Sequence, residues 1–371
     1  MDVRLNRVEL LHELVPMQGI VERRTTIPVL SHLLLRAEGD RLHLAATNLE
    51  VSLTSSCDAE VKAEGVVAIQ ARKLVEIVKA CSDDEMALLL DDANSLTILA
   101  GPAKFKIRGL PAEDFPTLPT LGDAPEAVVP FPIFRSMIGR VFFAISHEES
   151  RYQLNGALLQ QGGDAMTLVA TDGHRLALVE SALEDAELPT GEAAGGDVLV
   201  PRKALQELQR FESDGPMRFR RSDHHLSFTV ERRQLICRVL DGTFPDYERV
   251  IAQDNNLEVS ADRRMLQGVV QRVSLLTGER SRAVRLALTT DTLTLSAVNP
   301  DLGEATEDLP CTYGGGDLSL GINPDYLRDF LGAVTTDEIK LTFKDENSQC
   351  LAMPVDGPDR RYVYVIMPIR L

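Results

Sequence analysis

The chain has 371 residues, too many for one ordinary domain and enough for two or three domains of about 100–150 residues. Its formal net charge is −17, with 56 acidic and 39 basic residues, which argues against ordinary duplex binding through a positive surface. Aromatic residues make up 5% of the chain and tryptophan is absent, which disfavours a platform for base stacking.

The cysteines and the N-terminus indicate the compartment. The five cysteines show neither Cys-x-x-Cys nor Cys/His spacing, so we expect free buried thiols, no disulfide and no metal site. The N-terminal residues lack the apolar core of a signal peptide, and no apolar run is long enough to span a membrane. The sequence therefore predicts a cytoplasmic protein.

An amphipathic helix pattern recurs three times. Residues 6–16 begin with Asn6 as a candidate N-cap and place Val8, Leu11 and Val15 on one face. Residues 132–144 and 262–273 show the same spacing of apolar positions. Their stripes are, in order, Phe134, Met137, Ile138 and Val141, and Leu266, Val269, Val270 and Val273.

The segments that follow each helix also recur. An apolar run comes first (33–35, 157–159 and 286–288), then a second strand (42–47, 167–171 and 293–298), then a second helix starting near residues 71, 201 and 323. This pattern predicts an α+β fold of three repeated modules, each with two helices and antiparallel sheets. The predicted modules are residues 1–122, 123–254 and 255–371.

The sequence offers few candidates for catalysis. It lacks the glycine-rich phosphate loops, the serine nucleophile elbow and the His-Glu-x-x-His zinc motif. Ser146-His147-Glu148 and His174 are the nearest approach to a catalytic set, but neighbours in sequence do not make a triad. We therefore expect no catalytic residue, no cofactor and no metal.

Two Arg-Lys pairs occupy the same module position. Arg72-Lys73 opens the second helix of the first module, and Arg202-Lys203 opens that of the second. An acidic protein can bind DNA when its basic side chains line one concave face and its acidic side chains cover the outside. The recurrence favours a shared DNA-facing role for these pairs.

Five segments together resemble the bacterial sliding clamps, the beta subunits of DNA polymerase III. They are residues 364–371 (YVIMPIRL), 171–176 (TDGHRL), 244–247 (FPDY), 154–156 (LNG) and 200–203 (VPRK). The resemblance spans the whole chain. It implies a non-catalytic homodimer, closed head to tail into a ring with helices lining the hole, which encircles duplex DNA regardless of sequence and tethers the polymerase for processive replication.

The resemblance also implies a set of partners. These are the catalytic subunit of the replicative polymerase, an ATP-driven clamp loader, and other polymerases and repair proteins that bind through short linear peptides; no membrane is involved. A size argument favours the dimer independently. If helices pack about 10 Å apart, a ring of the six helices of one chain leaves a hole roughly 9 Å wide, and a ring of twelve leaves a hole roughly 28 Å wide. The major groove of a duplex is by itself about 12 Å wide, so only the ring of two chains can admit DNA.

By this resemblance, three sets of residues carry the function. The peptide cleft comprises Leu154, Thr171, Gly173, His174, Arg175, Leu176, Pro245, Arg249, Val250, Val365, Ile366, Met367, Pro368, Ile369 and Arg370. The dimer interface comprises Phe105 and Ile107 with Lys104 and Lys106, opposite Arg272, Leu275, Leu276, Glu304, Glu307 and Asp308. The DNA-facing residues are Arg24, Arg72, Lys73, Tyr152, Arg202 and Lys203.

Some details of these sets follow from residue chemistry. The apolar cleft residues suit an adaptable pocket with Arg and His at its rim, and Pro368 should end strand pairing and leave the last residues free to line the groove. In the family's DNA-contacting loop this chain has the acidic pair Glu148-Glu149, and Gln153 replaces an expected aromatic residue. Arg24 and Tyr152 are therefore the favoured DNA contacts.

Two alternatives stay open at this point. One is a clamp-like scaffold that binds peptides but is not loaded on DNA. The other is an enzyme that uses His174.

Overall fold

The computed structural model describes residues 1–22, 25–122, 124–183, 196–251, 254–278 and 283–370. Within these residues, six α-helices and 24 β-strands follow one another in an order that occurs three times. Each repeat consists of one strand, a helix, four strands, a second helix and three strands.

The first repeat contains β1 (Asp2–Asn6), α1 (Arg7–Ile20), β2 (His32–Glu38), β3 (Arg41–Thr47), β4 (Val51–Ala63), β5 (Gly65–Gln70), α2 (Ala71–Ala80), β6 (Glu85–Leu90), β7 (Ser95–Ala100) and β8 (Ala103–Arg108). The second contains β9 (Glu126–Pro130), α3 (Phe131–Val141), β10 (Gly156–Gly162), β11 (Ala165–Thr171), β12 (Arg175–Ala182), β13 (Val198–Pro201), α4 (Arg202–Leu208), β14 (Pro216–Arg221), β15 (His225–Val230) and β16 (Arg233–Arg238). The third contains β17 (Leu257–Asp262), α5 (Arg263–Val273), β18 (Val284–Thr289), β19 (Thr292–Asn299), β20 (Gly303–Pro310), β21 (Leu318–Ile322), α6 (Pro324–Ala333), β22 (Glu338–Phe343), β23 (Cys350–Pro354) and β24 (Arg361–Ile366).

All strand pairs formed by the described residues are antiparallel. The predicted α+β class, with two helices in each of three modules, is therefore confirmed.

The described residues form two compact units. The first, within residues 1–132 and 203–239, holds a 12-stranded sheet in which β4 pairs with β16. The second, within residues 133–183, 196–202 and 240–370, holds sheets of eight and four strands, and there β12 pairs with β24. Because both pairs join strands of different repeats, the units do not coincide with the repeats. The module boundaries near residues 122 and 254 stay a prediction.

Side-chain caps define two helix starts that the sequence indicates. Asn6 Oδ1 accepts hydrogen bonds from the backbone N–H groups of Val8 at 2.8 Å and Glu9 at 3.2 Å. Asp262 Oδ1 accepts from the N–H of Met265 at 2.7 Å. Each carboxamide or carboxylate oxygen satisfies donors that the first helical turn leaves without a partner.

The predicted buried stripes are confirmed for α3 and α5, since every residue named for them is buried. The stripe predicted for α1 is wrong. Val8 and Val15 are exposed, and α1 buries Leu10, Leu14 and Met17 instead. Because α1 is apolar on both faces, periodicity alone could not decide which face packs against β4 and α2. The helix also continues past Pro16 to Ile20.

The five cysteines are free, and four of them are buried while Cys311 is partly exposed. No cluster of three or more His, Cys, Asp or Glu side chains suited to a metal occurs among the residues that the structure describes. No helix in that part of the chain is long and apolar enough to cross a membrane.

Candidate functional site

A tight turn between β11 and β12 presents four of the predicted cleft residues. The Thr171 hydroxyl donates to the Arg175 carbonyl at 2.6 Å and accepts from the Gly173 N–H at 3.1 Å. Asp172 Oδ1 accepts from the N–H groups of His174 at 2.9 Å and Arg175 at 3.0 Å. Gly173 has a φ of +89°, which favours glycine. The turn thereby holds the exposed His174 in one place.

Arg175 lies beneath this surface. Its guanidinium donates to Asp172 at 3.0 Å, to Asp329 at 2.5 Å and to the Phe143 carbonyl at 2.5 Å, and its side chain is 12% exposed. It also stacks over the Tyr326 ring at 4.4 Å. The expectation of a polar rim contact is wrong for Arg175, because these contacts hold its guanidinium group in the interior. The residues around Asp329 and Tyr326 carry no sequence signal of a distant arginine, so their contacts with Arg175 could not be predicted.

The pKa of Arg175 is raised above its ordinary value. Burial alone would lower the pKa, but interactions with Tyr364, Asp329 and Asp172 outweigh it. The guanidinium is therefore a permanent cation that ties β12 to α6, on which Asp329 lies.

An apolar cluster lies under the same turn. It contains Leu154, Leu176 and Val365 from the predicted cleft, together with Phe244 and Ile251. These side chains come from β12, β24 and the segments before β10 and β17, so one cluster gathers residues far apart in sequence. Ile366 is fully buried as well. The predicted cleft residues thus divide into a buried floor and an exposed margin.

The exposed margin is formed by the remaining predicted residues. Met367 is 41% exposed and Val250 is 37% exposed. Pro245, Arg249 and Arg370 are exposed, and Pro368 and Ile369 are half-buried. Arg249 is paired with Asp246 at 2.6 Å.

The C-terminal segment leaves its strand at Pro368, as expected. The Met367 N–H still donates to the His174 carbonyl at 3.0 Å. The expectation that the last residues are free is wrong for Ile369, whose N–H donates to the Gly321 carbonyl on β21 at 2.8 Å. The segment therefore crosses from the eight-stranded sheet to the edge of the four-stranded sheet.

The predicted DNA-facing residues have different surroundings, and Arg24 lies outside the described residues. Arg72 and Lys73 are exposed and both bind Glu76, at 2.7 and 2.8 Å. Tyr152 is 54% exposed. In the same loop Arg151 pairs with Glu148 at 3.4 Å, so one of its two acidic residues is partly neutralised.

Arg202 and Lys203 are less free than Arg72 and Lys73. Arg202 donates to the Ile145 carbonyl at 3.0 Å and lies 4.5 Å above the Phe142 ring. Lys203 donates to the Gly19 carbonyl and to Glu207. The recurring Arg-Lys pair therefore has an additional structural role in the second repeat.

The serine and histidine near residue 146 do not form a nucleophile and base. The Ser146 hydroxyl is buried and accepts a hydrogen bond from the Glu148 N–H at 3.1 Å. Partial burial, followed by the cations of Arg202 and Arg175, lowers the pKa of His147. These surroundings therefore disfavour the protonated form of the His147 imidazole.

Two edge strands carry the predicted interface residues. Among the described strands, β8 pairs with β7 alone. On β8, Lys104 and Lys106 are exposed and alternate with the half-buried Phe105 and Ile107. On β20, the far edge of the four-stranded sheet, Glu304 is exposed.

Exposed apolar and charged side chains accompany β20. Leu275 is 76% exposed, whereas Leu276 is partly buried. Arg272 binds Glu307 at 2.9 and 2.5 Å and lowers the pKa of that carboxyl.

Comparison with known proteins decides the family. Models of the N-terminal, central and C-terminal domains of the DNA polymerase III beta subunit match residues 1–119, 129–246 and 248–370. The beta sliding clamps of Pseudomonas aeruginosa and Caulobacter vibrioides are each 37% identical to this chain, over 100% of both sequences. The chain belongs to the DNA polymerase III beta-subunit family. It is a DNA sliding clamp, a non-catalytic subunit that makes synthesis by DNA polymerase III processive.

Solved clamps have the same fold. The Pseudomonas aeruginosa beta subunit superposes with a TM-score of 0.91 at 36% identity, covering 100% of both chains. The Bartonella birtlesii clamp, solved with griselimycin bound, gives a TM-score of 0.93 at 33% identity over 100% of both chains. The family resemblance expected from the five sequence segments is confirmed, and the catalytic alternative based on His174 is set aside.

Proposed function

We propose that two copies of this clamp close head to tail into a ring around duplex DNA. The observation that carries this proposal is the opposite charge of two edge strands. β8 presents three basic side chains and β20 three acidic ones. They are Lys104, Lys106 and Arg108, and Glu304, Glu307 and Asp308. Pairing β8 of one protomer with β20 of its partner satisfies both edges, and two such contacts close a ring.

Apolar residues beside these charged side chains would form the centre of the proposed interface. Phe105 and Ile107 are half-buried in the single chain, and Leu275 is mostly exposed. Covering them in a dimer removes apolar surface from water. The intramolecular pair of Arg272 and Glu307 fixes the acidic strand beside this patch.

For DNA, we assign the inner surface to Arg24, Arg72, Lys73, Tyr152, Arg202 and Lys203. A closed ring retains DNA by topology, so its contacts can be few and weak enough to permit sliding. The pairing of Arg72 and Lys73 with Glu76 suits that requirement, because it moderates their attraction for phosphate.

For partners, we assign the cleft around His174 and Met367 to short linear peptides. The apolar floor beside an adaptable methionine supports this assignment. The proposed partners are the catalytic subunit of the replicative polymerase, the clamp loader, and other polymerases and repair proteins. Free buried thiols such as Cys237 and Cys350 suit work in a reducing cytoplasm.

The cleft is tested with a fluorescent peptide that has a Gln followed by apolar and aromatic residues. We expect affinity near micromolar, about −8 kcal/mol, because a short peptide loses freedom when it binds. Deleting residues 367–371 should abolish binding, and Met367→Ala should weaken it about tenfold. The deletion removes two backbone hydrogen bonds but no fully buried side chain of the described residues, so the melting temperature should fall by only a few degrees.

Met265→Ala is the matched control, since Met265 is a similarly exposed methionine on α5 outside the predicted cleft. It should leave the affinity unchanged. Undiminished binding by the truncated chain would contradict the cleft assignment.

A further inference from the structure

A cavity of about 590 Å³ lies beside the C-terminal segment, in the second compact unit. Its lining includes Ser319 and Gly321 from β21, Arg285 from β18, Glu346 from the loop before β23, and Ile369 and Arg370 from the segment itself. The last two residues also belong to the proposed peptide cleft. The cavity and that cleft therefore share the C-terminal segment.

One wall of this cavity is the edge of a sheet. β21 pairs with β18 on one side, and on the other side the Gly321 carbonyl accepts from the Ile369 N–H at 2.8 Å. Alternate residues of an antiparallel strand direct their backbone groups to the same side. Ser319 therefore points its N–H and carbonyl toward the cavity, where no other described strand pairs with it. A bound peptide can extend the pairing that Ile369 begins.

The charges in the cavity favour an acidic ligand. Arg285 and Arg370 are both exposed and form no ion pair with the described residues, whereas most other arginines of this unit are paired. Glu346 is the single acidic side chain of the lining. The lining therefore contributes two guanidinium groups and one carboxylate, so an added carboxylate could pair with a guanidinium that has no ion pair with the described residues.

We propose that this cavity is an extension of the partner cleft that binds acidic residues flanking a partner's linear peptide. The proposal rests on the proposed peptide-binding function of the cleft. In it, the backbone of the flanking residues pairs with Ser319 while their carboxylates bind Arg285. Among partners that share the same core motif, those with acidic flanking residues would thereby bind more tightly than those without them.

The test compares four fluorescent peptides by anisotropy. One is the core peptide of Gln, apolar and aromatic residues; two carry a pair of Asp residues at the N- or C-terminal end; the fourth carries Asn at the end where Asp acts. We expect one Asp peptide to bind about three- to tenfold more tightly than its Asn counterpart. Arg285→Ala should remove that gain, and Glu346→Gln should increase it. The gain should shrink as salt rises from about 0.05 to about 0.5 M.

Arg285 and Glu346 are exposed, so both variants should fold and should bind the unextended core peptide as the parent chain does. Equal affinity for Asp and Asn peptides, with the core peptide still bound, would overturn this inference and leave the cleft assignment standing. Equal loss of all peptides in Arg285→Ala would also overturn it, because the effect would not depend on charge in the flank. Failure of the core peptide to bind the parent chain would remove the proposed function and this inference together.

Discussion

Arg233 donates hydrogen bonds to two groups of α1, the His12 carbonyl and the Glu13 carboxylate. Pro16 has no N–H, so the His12 carbonyl one turn earlier lacks its helical donor. Arg233 donates to that carbonyl at 3.1 Å. The same guanidinium binds Glu13 at 2.8 and 2.9 Å, and Ser55 donates to the Glu13 carboxylate at 2.5 Å. One arginine thus permits a proline inside a helix and neutralises a buried acid.

These contacts make stability depend on pH. Burial raises the pKa of Glu13, but hydrogen bonds from Arg233 and Ser55 outweigh it, so the pKa is lower in the folded chain. A carboxyl group whose pKa is lowered by folding stabilises the folded chain when the pH is above its pKa in the unfolded chain, which is near 4.3. That stability is lost as the pH falls through the pKa of the folded chain. Replacing Arg233 should therefore lower the free energy of unfolding most at neutral pH, where Glu13 is charged.

We expect Arg233→Met to destabilise the first compact unit by about 3–5 kcal/mol at pH 7, since it leaves a buried carboxylate without its partner. Urea unfolding followed by circular dichroism measures the change. The double variant Glu13→Leu with Arg233→Met should recover most of the loss, and the defect of the single variant should shrink near pH 4. A double variant no more stable than the single one would show that the charge pair is not the cause.

At the scale of elements, the repeat extends to individual hydrogen bonds. The turn at residues 47–51 has the same pattern of hydrogen bonds as the turn at residues 171–175. In it, the Leu49 N–H donates to Thr47 Oγ1 at 3.0 Å, and the Val51 N–H donates to Asn48 Oδ1 at 2.8 Å. Leu49 has a φ of +77° where the second repeat has a glycine. Corresponding turns therefore form in both repeats, although only one has the residue best suited to that backbone.

The two junctions between repeats have the same strand pairing but different chemistry. Where β12 meets β24, Leu178 lies opposite Val363 in the apolar cluster. Where β4 meets β16, the corresponding pair is Thr54 and Gln234. This pair is therefore apolar at one junction, where it belongs to the floor of the proposed cleft, and polar at the other.

The sequence predicts the elements better than it predicts their faces and partners. Caps at Asn6 and Asp262 and the stripe containing Phe134 are local signals, so they could be identified from spacing alone. The buried face of α1 could not, because Val8 and Leu10 lie on two faces that are both apolar. The inward position of Arg175 depends on Asp329, which only the folded chain brings near.

The dimer can be tested at its edge elements. Leu275→Asp places a carboxylate in the proposed apolar contact and should weaken dimerisation about 100-fold or more, a cost of about 3 kcal/mol. Leu276→Asp should act similarly, although Leu276 is partly buried and the change also strains the fold. Sedimentation at low micromolar concentration measures the change in mass. Ile27→Asp, at an exposed apolar residue outside the predicted interface, should remain dimeric. A Leu275→Asp chain with the parent's dimer constant would contradict this interface.

At the scale of the whole molecule, strand pairing joins the repeats more closely than their sequences suggest. The second repeat contributes β16 to one compact unit and β12 to the other, so it is divided between them. Helix spacing could reveal the three repeats, but it could not reveal which strand edges pair, because any exposed edge can pair with another. The net charge of −17 fits the proposed ring, which would hold DNA by closure and not by affinity.

Retention on circular and linear DNA tests the ring most directly. The clamp is loaded onto nicked circles, and the bound fraction is measured by gel filtration in about 0.2 M salt before and after a single cut linearises the circle. We expect the clamp to stay on the closed circle and to be lost from the linear form, since it can slide off the ends. Equal retention on both forms would show ordinary surface binding and would contradict encirclement.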